Sequence, residues 1–338
     1  MTKSLKLGAL TSLCLMAGMA PAATLDDVKA RGMLNCGINT GLTGFGAPDA
    51  KGVYQGFDAD FCKAVAAAVL GDATKVGYVP TTMEAAFAAL ALGEVDLLAR
   101  NVAWTFSHDA DRQADFVAVS YYDGQGFMVK KDLGISSARE LDGARICLQT
   151  ATTSDATLTD YFKDNKIKYS PVAVIDDAEA QRQFLAGTCD TMTADVSVLS
   201  ALRATLPNAD DYVILPEIIS KEPLGPVVRH GDDAWADILR WTFFALLTAE
   251  EKGITKANID EMATTTQDPE TRRLLGIEGE MGQVLGLDPD WAKRAIAASG
   301  NYGEIFEANI GITTRVKLAR GLNALWVQGG LQYAPPFR

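Results

Sequence analysis

Two stretches of the sequence carry apolar runs into polar residues with the same layout. In the first, Gly93-Glu94-Val95-Asp96 leads through Leu97, Leu98 and Ala99 to Arg100, Asn101, Val102, Ala103, Trp104, Thr105, Phe106, Ser107 and His108. In the second, Gly187-Thr188-Cys189-Asp190 leads through Thr191-Met192-Thr193-Ala194 to Asp195. Each time a helix-like segment closes on glycine, an Asp three residues later opens a strand, and polar groups stand where the strand ends. Ligands of open α/β sheets gather at the carboxyl ends of strands. Two such lobes with facing strand ends make a cleft, and the chemistry this suits is capture of a small ligand. His108 also admits a reading as general acid or base. No Ser-His-Asp set, metal cluster or phosphate loop accompanies it, so an enzyme is not expected.

Length and charge narrow the choice. A chain of 338 residues is too long for one small core and points to two α/β domains. With 31 basic and 43 acidic residues the net charge is −12, which argues against nucleic acid as a partner. Lys3 and Lys6 precede an apolar run from Leu7 to about Met19, and Ala20-Pro21-Ala22 is a small-residue cleavage site. That three-part pattern predicts a secretory signal peptide over residues 1–22 and a periplasmic mature chain. Beyond Cys14, inside that leader, four cysteines remain: Cys36, Cys62, Cys147 and Cys189. An even number in an exported chain suggests disulfides, with three possible pairings. One bridge per lobe, Cys36–Cys62 and Cys147–Cys189, is the simplest choice, and four buried thiols are the alternative. With His108 and His230 the only histidines and no C-x-x-C, no metal or other cofactor is expected.

The elements that must position these residues alternate. Leu34–Asn39, Val76–Val79, Phe116–Val119 and Gly126–Lys130 read as strands. Asp58 and Thr82 open helices, and Thr153 and Asp177 are expected caps of two more. A long amphipathic helix from Asp232 to Glu251 follows, and the remainder is mainly helical. Crossings near Met128–Lys131 and Leu224–Val228 predict lobes built from discontinuous sequence: 23–130, 131–224, and 225–338 completing the first lobe with a helical C-terminal region.

Gly56-Phe57-Asp58-Ala59-Asp60-Phe61, the Thr105-Phe106-Ser107 turn and Gln149-Thr150-Ala151-Thr152-Thr153 resemble the polar amino-acid-binding proteins of ABC uptake systems. Asn39-Thr40-Gly41, Gly44-Phe45-Gly46-Ala47-Pro48-Asp49, Tyr121–Phe127, Asn301–Phe306 and Arg320–Trp326 are similar to one branch, the general amino-acid and glutamate/glutamine/aspartate/asparagine binders. The resemblance covers nearly the whole mature chain. It implies an α/β, two-lobed fold of the periplasmic-binding-protein kind (type II-like). Two hinge crossings close it around a free L-amino acid for delivery to an inner-membrane ABC permease. The chain is expected to act as a monomer.

By that resemblance Asp195 takes the ligand's α-ammonium, with a helix N-cap as its bland alternative. Thr152 and Thr153 match the carboxylate-binding pair at a helix N-terminus, where Ala151 replaces the usual glycine. The first lobe departs from the branch pattern: Ala103 replaces a carboxylate-binding Thr and His108 the carboxylate-binding Arg. His offers fewer donors and only partial charge near neutrality. The exchange admits weaker binding, pH-dependent binding, or a ligand lacking a standard α-carboxylate; an exported dehydratase on the same fold is the enzymatic alternative. Arg100 or Arg112 is placed to substitute, and Arg100 is also the candidate contact for an acidic side chain. Asn101 is expected at the strand end, and Phe45 and Trp104 as walls for the ligand side chain.

Overall fold

The structure, a computed structural model, describes residues 24–149 and 152–338. The expected leader over 1–22 and the Ala151 departure lie outside the described residues. Helix α1 (Thr24–Arg31) leads to strand β1 (Leu34–Asn39) and a short hairpin, β2 (Ala47–Pro48) and β3 (Tyr54–Gln55). Helix α2 (Phe57–Leu70), β4 (Val76–Thr81), α3 (Met83–Ala91) and β5 (Leu97–Ala99) follow, then β6 (Ala114–Phe116), β7 (Tyr121–Asp123) and β8 (Gln125–Lys130). The middle of the chain forms β9 (Ala144–Gln149), α4 (Thr153–Asn165), β10 (Tyr169–Val174), α5 (Asp177–Leu185), β11 (Thr191–Asp195), α6 (Val196–Thr205) and β12 (Tyr212–Ile214). It returns through β13 (Glu222–Leu224) and β14 (Val227–Arg229) to α7 (Asp233–Glu251) and the helices α8 (Ile259–Thr265), α9 (Pro269–Leu274), α10 (Met281–Val284), α11 (Trp291–Ser299) and α12 (Tyr302–Asn309).

These strands make two five-stranded sheets of the same plan, β4-β1-β5-β14-β6 and β10-β9-β11-β8-β12. In each, three parallel strands are followed by an antiparallel one, so the parallel strands direct their carboxyl ends to one edge. Pro80 and Pro171 both lie in outer strands, where a missing N–H interrupts no ladder. Strand β8 pairs antiparallel with β11, Met128 opposite Met192. The first crossing therefore lies ahead of Gln125, not at Met128–Lys131, and the expected lobe boundary at residue 130 moves with it. An apolar run does not itself say which sheet receives it.

Both crossings meet in one antiparallel pair, with Glu222 opposite Asp123 and Leu224 opposite Tyr121. Gly225 follows; a Cβ there would lie 2.0 Å from the Ala118 carbonyl oxygen, so only glycine fits. Alanine-rich α2 is buried on nearly all sides, between the first sheet and α11, and ends on Gly71 in the left-handed region (φ 72°). The C-terminal region buttresses the crossings. Asn323 both accepts the Tyr122 N–H (2.6 Å) and donates to its carbonyl (3.1 Å), and the buried Tyr302 hydroxyl donates to Ser120 O at 2.9 Å. Each lobe carries one disulfide, Cys36–Cys62 joining β1 to α2 and Cys147–Cys189 joining β9 to the turn before β11. No helix among the described residues is long and apolar enough to cross a membrane.

Candidate functional site

Asp195 ends β11 immediately before α6. A carboxylate so placed ordinarily caps its own helix, but its side chain makes no capping bond. Asp123, arriving on β7, accepts the Ser197 N–H at 3.3 Å and the Gly124 N–H at 2.9 Å, and Gly124 O accepts the Val196 N–H. The hinge strand thus supplies the cap and leaves the Asp195 carboxylate unspent. Burial, then the charges of Asp123, Glu222 and Asp177, push the Asp195 carboxyl well above the usual range. Burial also raises Asp123, to about 6, and Glu222, whose carboxylate accepts from Ser220 Oγ at 2.8 Å. Among the described residues no basic side chain offsets this trio. A cation brought there would relieve both the repulsion and the desolvation.

On the neighbouring strand β9, the chain enters α4. Thr152 has the extended backbone of an N-cap (φ −116°, ψ 168°), yet its Oγ1 donates to Gln149 O at 2.8 Å and no side chain caps the helix. Thr153 is the first helical residue rather than the cap. The Asp155 N–H bonds Thr152 O at 3.3 Å, and among the described residues no side chain takes the Thr153 or Ser154 N–H, so these two, at the start of a 13-residue helix, are placed for an anion. The second lobe therefore offers a cation position and an anion position on adjacent parallel strands.

In the first lobe the chain leaves β5 through Arg100 and Asn101, the latter at φ 51°, a left-handed conformation that Asn tolerates better than most residues. Asn101 is used locally: its Oδ1 accepts from Asn39 Nδ2 at 3.0 Å. Ala103 then bridges to Leu224 of the hinge through the amides of Trp104 and Gly225, so the Ala103 N–H is not spent there. His108 donates from Nδ1 to the Ala103 carbonyl at 2.8 Å and lies on the Phe87 ring, centroids 5.0 Å apart. With the carbonyl as acceptor, Nδ1 carries the proton and Nε2 is the nitrogen left over. The Arg112 guanidinium sits over the same Phe87 ring, 5.6 Å from its centroid.

Arg100 is 6% exposed, and its buried Nε has no partner among the described residues. Burial lowers its pKa to about 10, and the nearby carboxylates of Asp58 and Asp177 oppose that shift. Phe45 and Trp104 both pack against other aromatic side chains. Phe45 is 1% exposed and packs edge-on against Phe57 and Tyr121. Trp104 stacks on Phe116 and lines a recess of about 430 Å³ with residues of β6 and α7, all first-lobe elements. The reading of the sequence also missed Asp123, Glu222, Asp58 and the role of Asp177. The α5 cap is Asp176, which accepts the Glu179 N–H at 2.6 Å, so Asp177 is free of the duty assigned to it.

The sequence matches the bacterial extracellular solute-binding proteins, family 3, over residues 34–258. The chain belongs to this family. The solute-binding protein is 67% identical over its full length, and the relative's, to the glutamate/glutamine/aspartate/asparagine-binding protein of Rhodobacter capsulatus. It is 56% identical, over 96% of both chains, to the general L-amino acid-binding periplasmic protein of Rhizobium johnstonii. Among solved structures, a periplasmic binding protein of an ABC transporter from Brucella ovis, with glutathione bound, is 52% identical. It superposes with a TM-score of 0.91 over 94% of this chain and all of that one. The relatives are named as binding proteins, and the solute-binding protein described here is likewise a binder, not an enzyme, of the ABC transport class.

Proposed function

We propose that the protein captures a free L-amino acid between its lobes in the periplasm, as a monomer, and delivers it to an inner-membrane ABC permease. The observation that carries this is the unspent Asp195 carboxylate, unbalanced by any cation among the described residues, beside the uncapped start of α4. In this reading Asp195 receives the α-ammonium, with Asp123 and Glu222 deepening the negative potential. The α-carboxylate lies against the first turn of α4 at Thr152 and Thr153, with the Ala103 N–H, Thr105 and His108 Nε2 on the opposite lobe. A zwitterion is thereby paired at both ends, as burial of charge demands. Closure follows from contacts made to both lobes at once.

The glutathione in the Brucella relative favours one second reading, a γ-glutamyl peptide. Glutathione carries the same α-ammonium and α-carboxylate as glutamate, so it uses the same head site and differs in how far it extends. Calorimetry on the mature protein, refolded to release carried-over ligand, separates these readings. Micromolar or tighter binding of glutamate, glutamine, aspartate or asparagine supports the first. Binding of glutathione with none of the free amino acids supports the second, and no binding of either rejects the α-amino-acid head site.

A further inference from the structure

Resting on that amino-acid head site, we propose that Gln125 is a positioning residue for it. Its buried side-chain amide ties the start of α4, where that reading puts the ligand's carboxylate, to β11, which ends on Asp195. It thereby fixes the separation at which the two ends of the zwitterion are held. Gln125 acts through the backbone of α4 and the Thr193 hydroxyl.

Gln125 opens β8 where the first crossing enters the second lobe, and it is fully buried. It stands opposite Asp195 in the antiparallel pair of β8 with β11, so the two side chains share one face of the sheet. On that face Nε2 donates to Thr193 Oγ1 at 2.9 Å and to the Ser154 carbonyl, in the first turn of α4, at 3.0 Å. Ser154 also carries one of the two N–H groups placed for an anion. The amide cannot be turned over. The Thr193 hydroxyl spends its proton on the Gly126 carbonyl at 2.7 Å, and Ser154 offers a carbonyl, so both neighbours accept and the nitrogen must face them. Oε1 is then left buried with no partner among the described residues. An orphaned buried acceptor costs the desolvation of that group, and methionine would fill similar space without it. Packing alone therefore gives no reason for glutamine here; what the amide adds is a fixed distance between α4 and β11. The backbone of Gln125 is held as well. Its N–H donates to Ser220 Oγ at 3.0 Å, and its carbonyl accepts the Ile219 N–H at 2.9 Å. Ser220 Oγ in turn donates to Glu222, opposite Asp123 in the hinge pair. One residue thus links the hinge to both head positions.

Calorimetry with L-glutamine, L-glutamate, L-alanine and glutathione on the wild type, Gln125→Met, Thr193→Val and the double variant tests this, together with thermal melts of the ligand-free proteins. Gln125→Met is expected to weaken every ligand the wild type binds by a similar factor, about five- to thirtyfold, since all share the head that the two lost hydrogen bonds position. Its melting temperature should stay within about 2 °C of wild type or rise, because the orphaned carbonyl leaves with the donors. Thr193→Val removes one of the two bonds and is expected to weaken binding about three- to fivefold, with the double variant within about twofold of Gln125→Met alone. An affinity of Gln125→Met within about twofold of wild type overturns the proposal. Losses that instead grow with the ligand's side-chain length also overturn it, since they place Gln125 in a side-chain pocket. Where Gln125→Met melts early, Thr193→Val decides: unchanged affinity in that variant refutes the positioning role. If the wild type binds none of the four ligands, the head-site reading itself has failed, and this assignment falls with it.

Discussion

Replacing Asp195 with Asn should weaken ligand binding while making the empty protein more stable. Truncating one partner of a buried charge pair typically costs 2–5 kcal/mol. The lower half of that range applies here, because Asp123 and Glu222 remain beside the site and keep it negative. A loss of about 2–3 kcal/mol corresponds to a roughly 30- to 150-fold rise in Kd for a free amino acid. The empty protein responds in the opposite sense. Three carboxylates without a cation repel one another, and the Asp195→Asn exchange would relieve the most perturbed of them without altering the α6 cap, which Asp123 supplies. The variant's melting temperature at pH 8 should rise by a few degrees, at about 2–4 °C per kcal/mol for a chain of this size. Calorimetry and thermal melts on the same two preparations decide it. A purely structural Asp195 would lower both affinity and melting temperature on replacement. Either that pattern, or an affinity within about twofold of wild type, refutes the assignment.

Three further outcomes follow from the same geometry. Because Asp58 (about 7), Asp123 (about 6) and Asp195 all have raised folded-state pKa values, their contribution is greatest when protonated and is lost as pH rises through those values. The ligand-free protein should therefore melt higher at pH 5 than at pH 8, and Asp123→Asn should flatten that difference. Replacing Cys147 and Cys189 by Ser opens a link of sequence separation 42 and should cost about 2–4 kcal/mol in urea unfolding, whereas the same change at Cys36–Cys62, of separation 26, should cost slightly less. Gly225→Ala should destabilise by more than about 1 kcal/mol and alter ligand affinity without touching the ligand, since the new methyl group meets the Ala118 carbonyl at the crossing.

How far the sequence could be read depended on whether a residue's role is local. The Gly-x-x-Asp openings of β5 and β11, the two-lobed plan and the one-bridge-per-lobe pairing all follow from patterns within a few dozen residues. The disulfides were readable because each joins neighbouring elements of one lobe. Residues whose meaning depends on a long-range partner were not. Asp123 carried no role of its own in the sequence; only the pairing of β7 with β13, about a hundred residues apart in sequence, sets it beside Glu222 and under α6. Phe45, among glycines and a proline, had the composition of an exposed loop, yet Tyr121 and Phe57 close over it. Asp176 and Asp177 are chemically identical neighbours, and a one-residue choice of cap decides which is left without that duty. The same ambiguity applies to His108. Its identity announced a change at the carboxylate site, but its orientation is fixed by the Ala103 carbonyl and the Phe87 face. A histidine held through Nδ1 can donate from Nε2 only when protonated, so any share it takes in binding the carboxylate must strengthen as pH falls. Affinity that is flat from pH 6 to pH 8 would leave that share to the Ala103 amide and the start of α4. The exchange of Arg for His would then reduce charge at the site without changing what it binds.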